Sequence, residues 1–244
     1  MLDFVVVIPA RYESTRLPGK PLIDLEGKSL ILRTYEQCMK AVDSSLIYVA
    51  TDNELIKSHC ESFKIKVIMT SANCLTGTDR VAEFAKHIIA KTYINVQGDE
   101  PLINPEDITK VIDFAKRFPE KIINGYTRIT SNEEYINRSI PKLVFRPDGR
   151  LLYISRSPIP GNKNNEFKKS WRQICVYAFP QKSLQHFASL NSKTILENDE
   201  DIEILRFLEL GYEVRVIELS SNSIAVDTPE DANRVKEFLK NQCK

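Results

Sequence analysis

Residues 4–22 read FVVVIPARYESTRLPGKPL. The run Phe4–Ile8 is apolar, short and β-branched, which predicts a buried strand. A loop follows that carries Arg11, Arg16 and Lys20, with Pro18 and Gly19 just before the last cation. In an open α/β sheet, ligands sit off the carboxyl ends of the strands. Three cations on one such loop point to a triphosphate rather than a carboxylate. Arginine forks pair with phosphate oxygens, and lysine adds a compact charge. The loop lacks GxxxxGK[ST], and Gly19 is its only glycine, so it is neither a Walker A nor a GxGxxG loop. A solvated basic loop without a ligand is the bland alternative.

The first 70 residues extend this reading. Helical spacing covers Leu30–Val42 behind Ser29, a strand covers Leu46–Ala50, a helix Asn53–Phe63, and a third strand Ile65–Met69. That alternation is a βαβαβ half of a doubly wound sheet. Residues 70–80 form a polar loop, a helix is expected over Val81–Ala90, and a strand over Thr92–Val96. This strand runs into Gln97-Gly98-Asp99-Glu100-Pro101. Carboxylates at the end of a central strand suit Mg²⁺, which is held by one or two of them together with substrate phosphates. Gly98 allows close backbone approach by a ligand, and Glu100 is expected to point away from Asp99. An acidic turn closed by Pro101 is the alternative.

A helix is expected over Asn104–Phe118, with Pro105 in its first turn. The pattern then becomes β-rich. Strands are expected over 122–129, 142–145, 151–154 and 171–179, with Pro147-Asp148-Gly149 as a turn. The stretch from about 125 to 180 reads as an inserted β-rich lobe and a dimer contact, within one unit spanning 1–244. Helices return over 181–190 and 199–210, and a strand over 214–218. A last strand, 223–226, leads to Asp227 and a helix capped by Thr228 or Asp227, with Pro229 at its start.

Composition bounds the partners. The chain has 244 residues, 42% of them hydrophobic and 27% charged, and a formal net charge of +1. There is no basic excess for general nucleic-acid binding. No apolar run nears the roughly 20 residues of a membrane span, and no signal-peptide pattern precedes the first strand. Cysteines 38, 60, 74, 175 and 243 form no CxxC, and His59, His87 and His186 show no zinc spacing. Reduced thiols in a cytoplasmic protein are expected.

Two separated aspartates, Asp99 and Asp227, with the cationic loop of Arg11, Arg16 and Lys20, are the equipment for metal-assisted phosphoryl or nucleotidyl transfer. The segments IPARYESTRLPGKPL, TGTDRVAE, NVQGDEPLI, YISRSPIP and AVDTPED, in that order, resemble the motif set of the CMP-Kdo synthetases, the 3-deoxy-manno-octulosonate cytidylyltransferases. The resemblance implies a Rossmann-like nucleotidyltransferase fold: α/β, with a mixed, mostly parallel sheet. It implies a homodimer that takes CTP and a sugar-acid acceptor and requires Mg²⁺. By resemblance, Arg11, Arg16 and Lys20 serve the triphosphate and the transition state. Ala10, Ser14, Thr76, Gly77 and Arg80 complete the nucleotide site. Asp99 and Asp227 hold the metal, and Gln97, Arg156, Gln173, Tyr177 and Glu203 border the acceptor. Lys142 matches a lysine of the lobe, in a substrate-side or structural role.

The departures from that family pattern cluster on the acceptor side. The family's His-Leu-Gly becomes Gln173-Ile174-Cys175, and its Glu-Gln becomes Glu203-Ile204. In the base loop, His-x-Ser/Thr-Gly becomes Cys74-Leu75-Thr76-Gly77. A site built for a polar contact discriminates strongly on that contact. Kdo, 8-amino-Kdo, another ulosonic acid and a phosphonate therefore remain open as acceptors. So does a catalytically silent nucleotide-binding protein on the same fold.

Overall fold

Strand β1 (Leu2–Ala10) is buried from Val5 onward. Val6 and Ile8 enter one apolar layer, Val5 and Val7 the other. Burying each such side chain stabilises by about 1.5–3 kcal/mol, so a strand apolar on both faces is driven to the middle of a sheet with helices on each side. The computed structural model describes residues 1–14, 16–164, 166–220 and 223–242, and Cys243 lies outside them.

Helices α1 (Leu30–Ala41) and α2 (Glu54–Ser62) return the chain to β2 (Ile47–Thr51) and β3 (Lys66–Met69), both parallel to β1. On the other side of β1, α3 (Gly77–Phe84) leads into β4 (Ala90–Val96), also parallel. Then come α4 (Pro105–Arg117), β5 (Ile122–Arg128), α5 (Asn132–Ile136), β6 (Lys142–Phe145), β7 (Leu151–Ser155) and β8 (Trp171–Pro180). The chain closes with α6 (Gln181–Ala188), α7 (Ile195–Glu200), α8 (Ile204–Glu209), β9 (Val214–Glu218) and α9 (Pro229–Gln242). The sheet runs β3-β2-β1-β4-β8-β5-β9, and β8 is antiparallel to both neighbours. One apolar layer lies under α1, α2 and α4, the other under α3, α6 and α8. A small third cluster joins Leu25 and Leu30 to Val226, Ala232 and Val235 of the C-terminal segment.

The structure departs from the sequence reading at several places. Of the stretch expected as an inserted lobe, β5 and β8 run within the main sheet, and the β6–β7 hairpin lies off its path. The expected helix 81–90 is α3, which starts earlier because Thr76 caps it through the Asp79 N–H. Its place is shortened at the other end because β4 already pairs with β1 at Ala90. The expected helix 199–210 is broken into α7 and α8 at Asp201, which sits at φ 50°, a left-handed conformation that aspartate tolerates better than most residues. No strand forms over 223–226 among the described residues. Val226 instead donates one backbone bond to the Asp99 carbonyl.

Candidate active site

The cationic loop folds back on itself before it reaches the acidic groups. Gly19, at φ 66°, donates to the Tyr12 carbonyl at 3.2 Å, and Leu17 N–H donates to Ser14 Oγ at 3.3 Å. These bonds turn Lys20 inward at the start of a short 3-10 turn, Lys20–Leu22. Its Nζ donates to Asp99 Oδ2 at 2.8 Å and to Asp227 Oδ1 at 3.1 Å. Arg16 reaches the same Asp227 oxygen at 3.2 Å. Residues 79 and 207 positions apart from Lys20 thus share one ammonium. Burial pulls the Lys20 pKa down, but the two carboxylates outweigh it and raise it above the usual lysine value. Arg11 is exposed on the same loop, and Ala10 is buried at the end of β1.

Asp99 follows β4 through a turn that has no room for a side chain at Gly98. A Cβ there would lie 2.7 Å from the Pro9 carbonyl. Packing against β1 is therefore a demand the structure places on Gly98. Glu100 turns inward, away from Lys20, and accepts from Ser223 Oγ. Burial and the neighbouring Asp99 charge push its pKa up to about 7. Asp227 is braced by Asp231, whose Oδ2 accepts from the N–H groups of Asp227 and Thr228 at 3.1 and 2.9 Å.

The other predicted residues fall in two groups. Thr76 caps α3, and Gly77 lies against Gln97, whose amide atoms are about 3 Å from where a Gly77 Cβ would be. Glu203, half-buried before α8, accepts from the N–H groups of Gly77 and Thr78 at 3.0 and 2.8 Å and from the Thr78 hydroxyl. Burial raises its pKa, against the pull of those bonds. Tyr177 is buried on β8 and stacks on Phe179, with ring centres 5.5 Å apart. Burial holds Tyr177 and Cys175 well above their usual values, so Cys175 is no thiolate. Three side chains have protein partners of their own. Arg80 is buried against Asp52 at 2.7 Å and Thr70 at 2.5 Å, across the ends of β2 and β3. Gln173 donates to Asn124 at 2.9 Å. Arg156 donates to the carbonyls of Glu200 and Asp201 at 2.6 and 3.0 Å.

Asp99 and Asp227 meet on the one ammonium of Lys20, beyond the carboxyl ends of β1 and β4. Among the described residues no group of three or more His, Cys, Asp or Glu side chains forms a metal cage. That donor set fits a hard ion such as Mg²⁺, which keeps waters and takes its remaining ligands from phosphate.

Residues 5–219 match the model of the family described as Cytidylyltransferase. The chain is a member of the cytidylyltransferase family. It is 41% identical over 245 residues to the 3-deoxy-manno-octulosonate cytidylyltransferase of Protochlamydia amoebophila (strain UWE25), covering 97% of this chain and 94% of that one. It is 39% identical over 244 residues to the 8-amino-3,8-dideoxy-manno-octulosonate cytidylyltransferase of Shewanella oneidensis (strain ATCC 700550 / JCM 31522 / CIP 106686 / LMG 19005 / NCIMB 14063 / MR-1), covering 98% and 99%. A solved CMP:2-keto-3-deoxy-manno-octonic acid synthetase complexed with CTP superposes with a TM-score of 0.91 at 34% identity, covering 98% of this chain and 99% of that one.

Several supporting residues of this cytidylyltransferase escape a reading by motif. Asp52 pairs with Arg80, and Ser223 with Glu100, from distant parts of the chain. Asp231 was open to detection, because Thr228 and Asp231 have the spacing of a capping box and exchange its bonds. Lys142 is buried, and its ammonium donates to the carbonyls of Asn137, Ile140 and Arg156. Those contacts give it a structural part in joining β6 to the end of β7.

Proposed function

We propose that this cytidylyltransferase moves CMP from CTP to the anomeric hydroxyl of a 3-deoxy-ulosonic acid and releases pyrophosphate. The observation that carries the reading is Lys20 held between Asp99 and Asp227, with Arg16 on the outer side of Asp227. Arg11 and Arg16 bind the β- and γ-phosphates, with Ser14 in the same loop. Lys20 faces the charge that builds on the α-phosphate as the hydroxyl attacks in line, where a fixed cation lowers the barrier. Asp99 and Asp227 hold a Mg²⁺ ion, which when bound offsets triphosphate charge and helps pyrophosphate leave. Thr76, Gly77 and Arg80 serve the cytosine side. Gln97, Gln173, Tyr177, Glu203 and Arg156 border the acceptor.

Kdo is the leading acceptor, and 8-amino-Kdo is a second reading with its own support. Ile204, where the family pattern has a glutamine, is 1% exposed within the apolar layer under α8, and it offers the acceptor no polar contact. Relatives named for either sugar are similar to this chain at 41% and 39% identity. Pyrophosphate release from CTP and Mg²⁺ with Kdo, 8-amino-Kdo, another ulosonate and a phosphonate decides. Release with none of them refutes the reading, and release only with 8-amino-Kdo selects the second. A homodimer built on the β6–β7 side is part of the proposal. It is supported by exposed Leu152 on β7, Ile136 on α5 and Ile195 on α7. No helix among the described residues is long and apolar enough to cross a membrane. The unpaired Cys38, Cys60, Cys74 and Cys175 support a reducing, cytoplasmic setting.

A further inference from the structure

Arg206 of α8 is completely buried, yet none of the substrate roles above needs it. Its guanidinium is divided among three other helices. Nε and Nη2 donate to Glu197 of α7 at 2.6 and 2.7 Å, and Nη1 donates to Asp79 of α3 at 2.9 Å. Nη1 also reaches the Phe187 carbonyl of α6 at 3.4 Å, and the guanidinium carbon lies 3.7 Å from the centre of the Phe187 ring. Buried ion pairs add little stability over well-packed apolar residues, because desolvating the charges offsets their attraction. What a bidentate arginine supplies is fixed distance and angle.

The distance fixed here lies between two parts of the active site. Asp79 accepts from Thr76 Oγ1 at 2.6 Å, so the Arg206 partner is bonded to the cap of α3. Gly77 and Thr78, in the same turn, donate to Glu203, which lies three residues before Arg206. The first turn of α3 is therefore held to α8 at two points, once through peptide N–H groups and once through Arg206. On the proposed function, Thr76 and Gly77 face the nucleotide and Glu203 faces the acceptor. Both connections join the nucleotide side to the acceptor side.

We propose that Arg206 is a positioning residue for the transfer, clamping the α3 nucleotide turn to the α8 acceptor segment so that the sugar hydroxyl meets the α-phosphate of CTP in line. The inference rests on the proposed function. It differs from a packing role in what it predicts for kinetics. Each half-site survives loss of the clamp, but their mutual placement does not. In-line attack is steep in that placement, and about 1 Å of error costs up to a hundredfold in rate.

The test uses the full-length enzyme with Arg206→Lys, which keeps the charge and loses the fork, and Asp79→Asn, which keeps the Thr76 bond and weakens the pair. Urea melts establish folding. Steady-state kinetics with CTP, Mg²⁺ and the acceptor the wild type uses are set beside equilibrium binding of CTP alone. The expected result is a fall in kcat of about tenfold to a hundredfold, with CTP binding and the KM for CTP changed less than about threefold. If Arg206→Lys does not fold, Asp79→Asn decides. A folded variant with kcat within about twofold of wild type overturns the inference, as does a loss confined to the melting midpoint. If the wild type releases no pyrophosphate with any acceptor, the proposed function falls and takes the clamp with it. An active wild type with unaffected variants removes the clamp alone.

Discussion

The backbone N–H of Val226 donates to the carbonyl oxygen of Asp99 at 2.9 Å. This bond joins the turn after β4 to the segment before α9, and it places the next residue, Asp227, beside the side chain of Asp99. Val226 itself is buried with Leu25, Leu30, Ala232 and Val235. The apolar anchor and the backbone bond together seat a carboxylate on a segment that has no sheet partner. Lys20 then lies between two acidic groups that are 79 and 207 positions away from it along the chain.

Removing any of the three charged groups should strike the transfer itself. Asp99→Ala and Asp227→Ala are each expected to lower kcat/KM on the order of a hundredfold or more, since each takes away one of the two carboxylates proposed to hold the metal. Lys20→Met is expected to lower kcat by roughly a hundredfold to a thousandfold, the range for losing one fixed charge-stabilising donor. Pyrophosphate release at saturating CTP measures both. Wild-type turnover by Asp227→Ala would show that its carboxylate only neutralises Lys20 and Arg16.

Asp231 is a milder and more diagnostic target. It touches no substrate in the proposed function, but its Oδ2 accepts from Asp227 N–H, Thr228 N–H and Thr228 Oγ1. Asp231→Ala removes a helix-start bond set worth about 1 kcal/mol and frees the backbone that carries Asp227. The Mg²⁺ concentration for half-maximal activity should rise several-fold, with kcat at saturating Mg²⁺ close to wild type. A Mg²⁺ titration of both proteins checks this, and an unchanged half-saturation point would separate the brace from the metal site.

The sequence reading of the sheet rested on strong local signals, and those survive in β1, β2, β3 and β4. Largely apolar, β-branched runs of five residues between amphipathic helices leave few alternatives. The errors arose where local pattern and tertiary pairing compete. Residues 171–179 read correctly as a strand, but nothing local says that they lie between β4 and β5, because partner choice belongs to the whole sheet. Asp201 interrupts an otherwise helical pattern, and its ion pair with Lys193 is not visible in spacing. The site divides in the same way. Asp99 announces itself by residue type at the end of β4, Lys20 by the cationic loop that follows β1, and Asp227 by the acidic run before the last helix. The engagement of Arg80 with Asp52 and of Arg156 with the Glu200 and Asp201 carbonyls depends on packing between distant segments.

Gly98 offers a test of the turn that carries Asp99. A methyl group there would meet the Pro9 carbonyl at 2.7 Å, and Pro9 is fixed within β1 opposite Ala50 of β2. Backbone atoms in a central strand cannot move aside as a side-chain tip would. Gly98→Ala is therefore expected to destabilise the fold by about 1–3 kcal/mol. Because the strain falls one residue from Asp99, activity should fall with it. A urea midpoint unchanged from wild type would show that the turn can shift away from β1.

Lys142 carries the last prediction, a pH dependence far from the phosphate loop. Burial pushes its ammonium down to about 8, helped by the Arg156 charge, with Glu200 opposing and Arg138 adding to the fall. Its folded pKa lies below that of an unfolded lysine, 10.5, so between these values the unfolded chain binds more protons. Stability from this group must then rise with pH across that window and stay flat below it. The full change is on the order of 3 kcal/mol. Lys142→Met removes the titration and leaves the carbonyls of Asn137, Ile140 and Arg156 without this donor, so it should be less stable at every pH. Other groups titrate alike in both proteins, so the difference between them isolates Lys142. Urea melts at pH 7, 8.5 and 10 should show the gap widening as pH rises. A gap that stays constant would mean that Lys142 titrates as an ordinary lysine despite its burial.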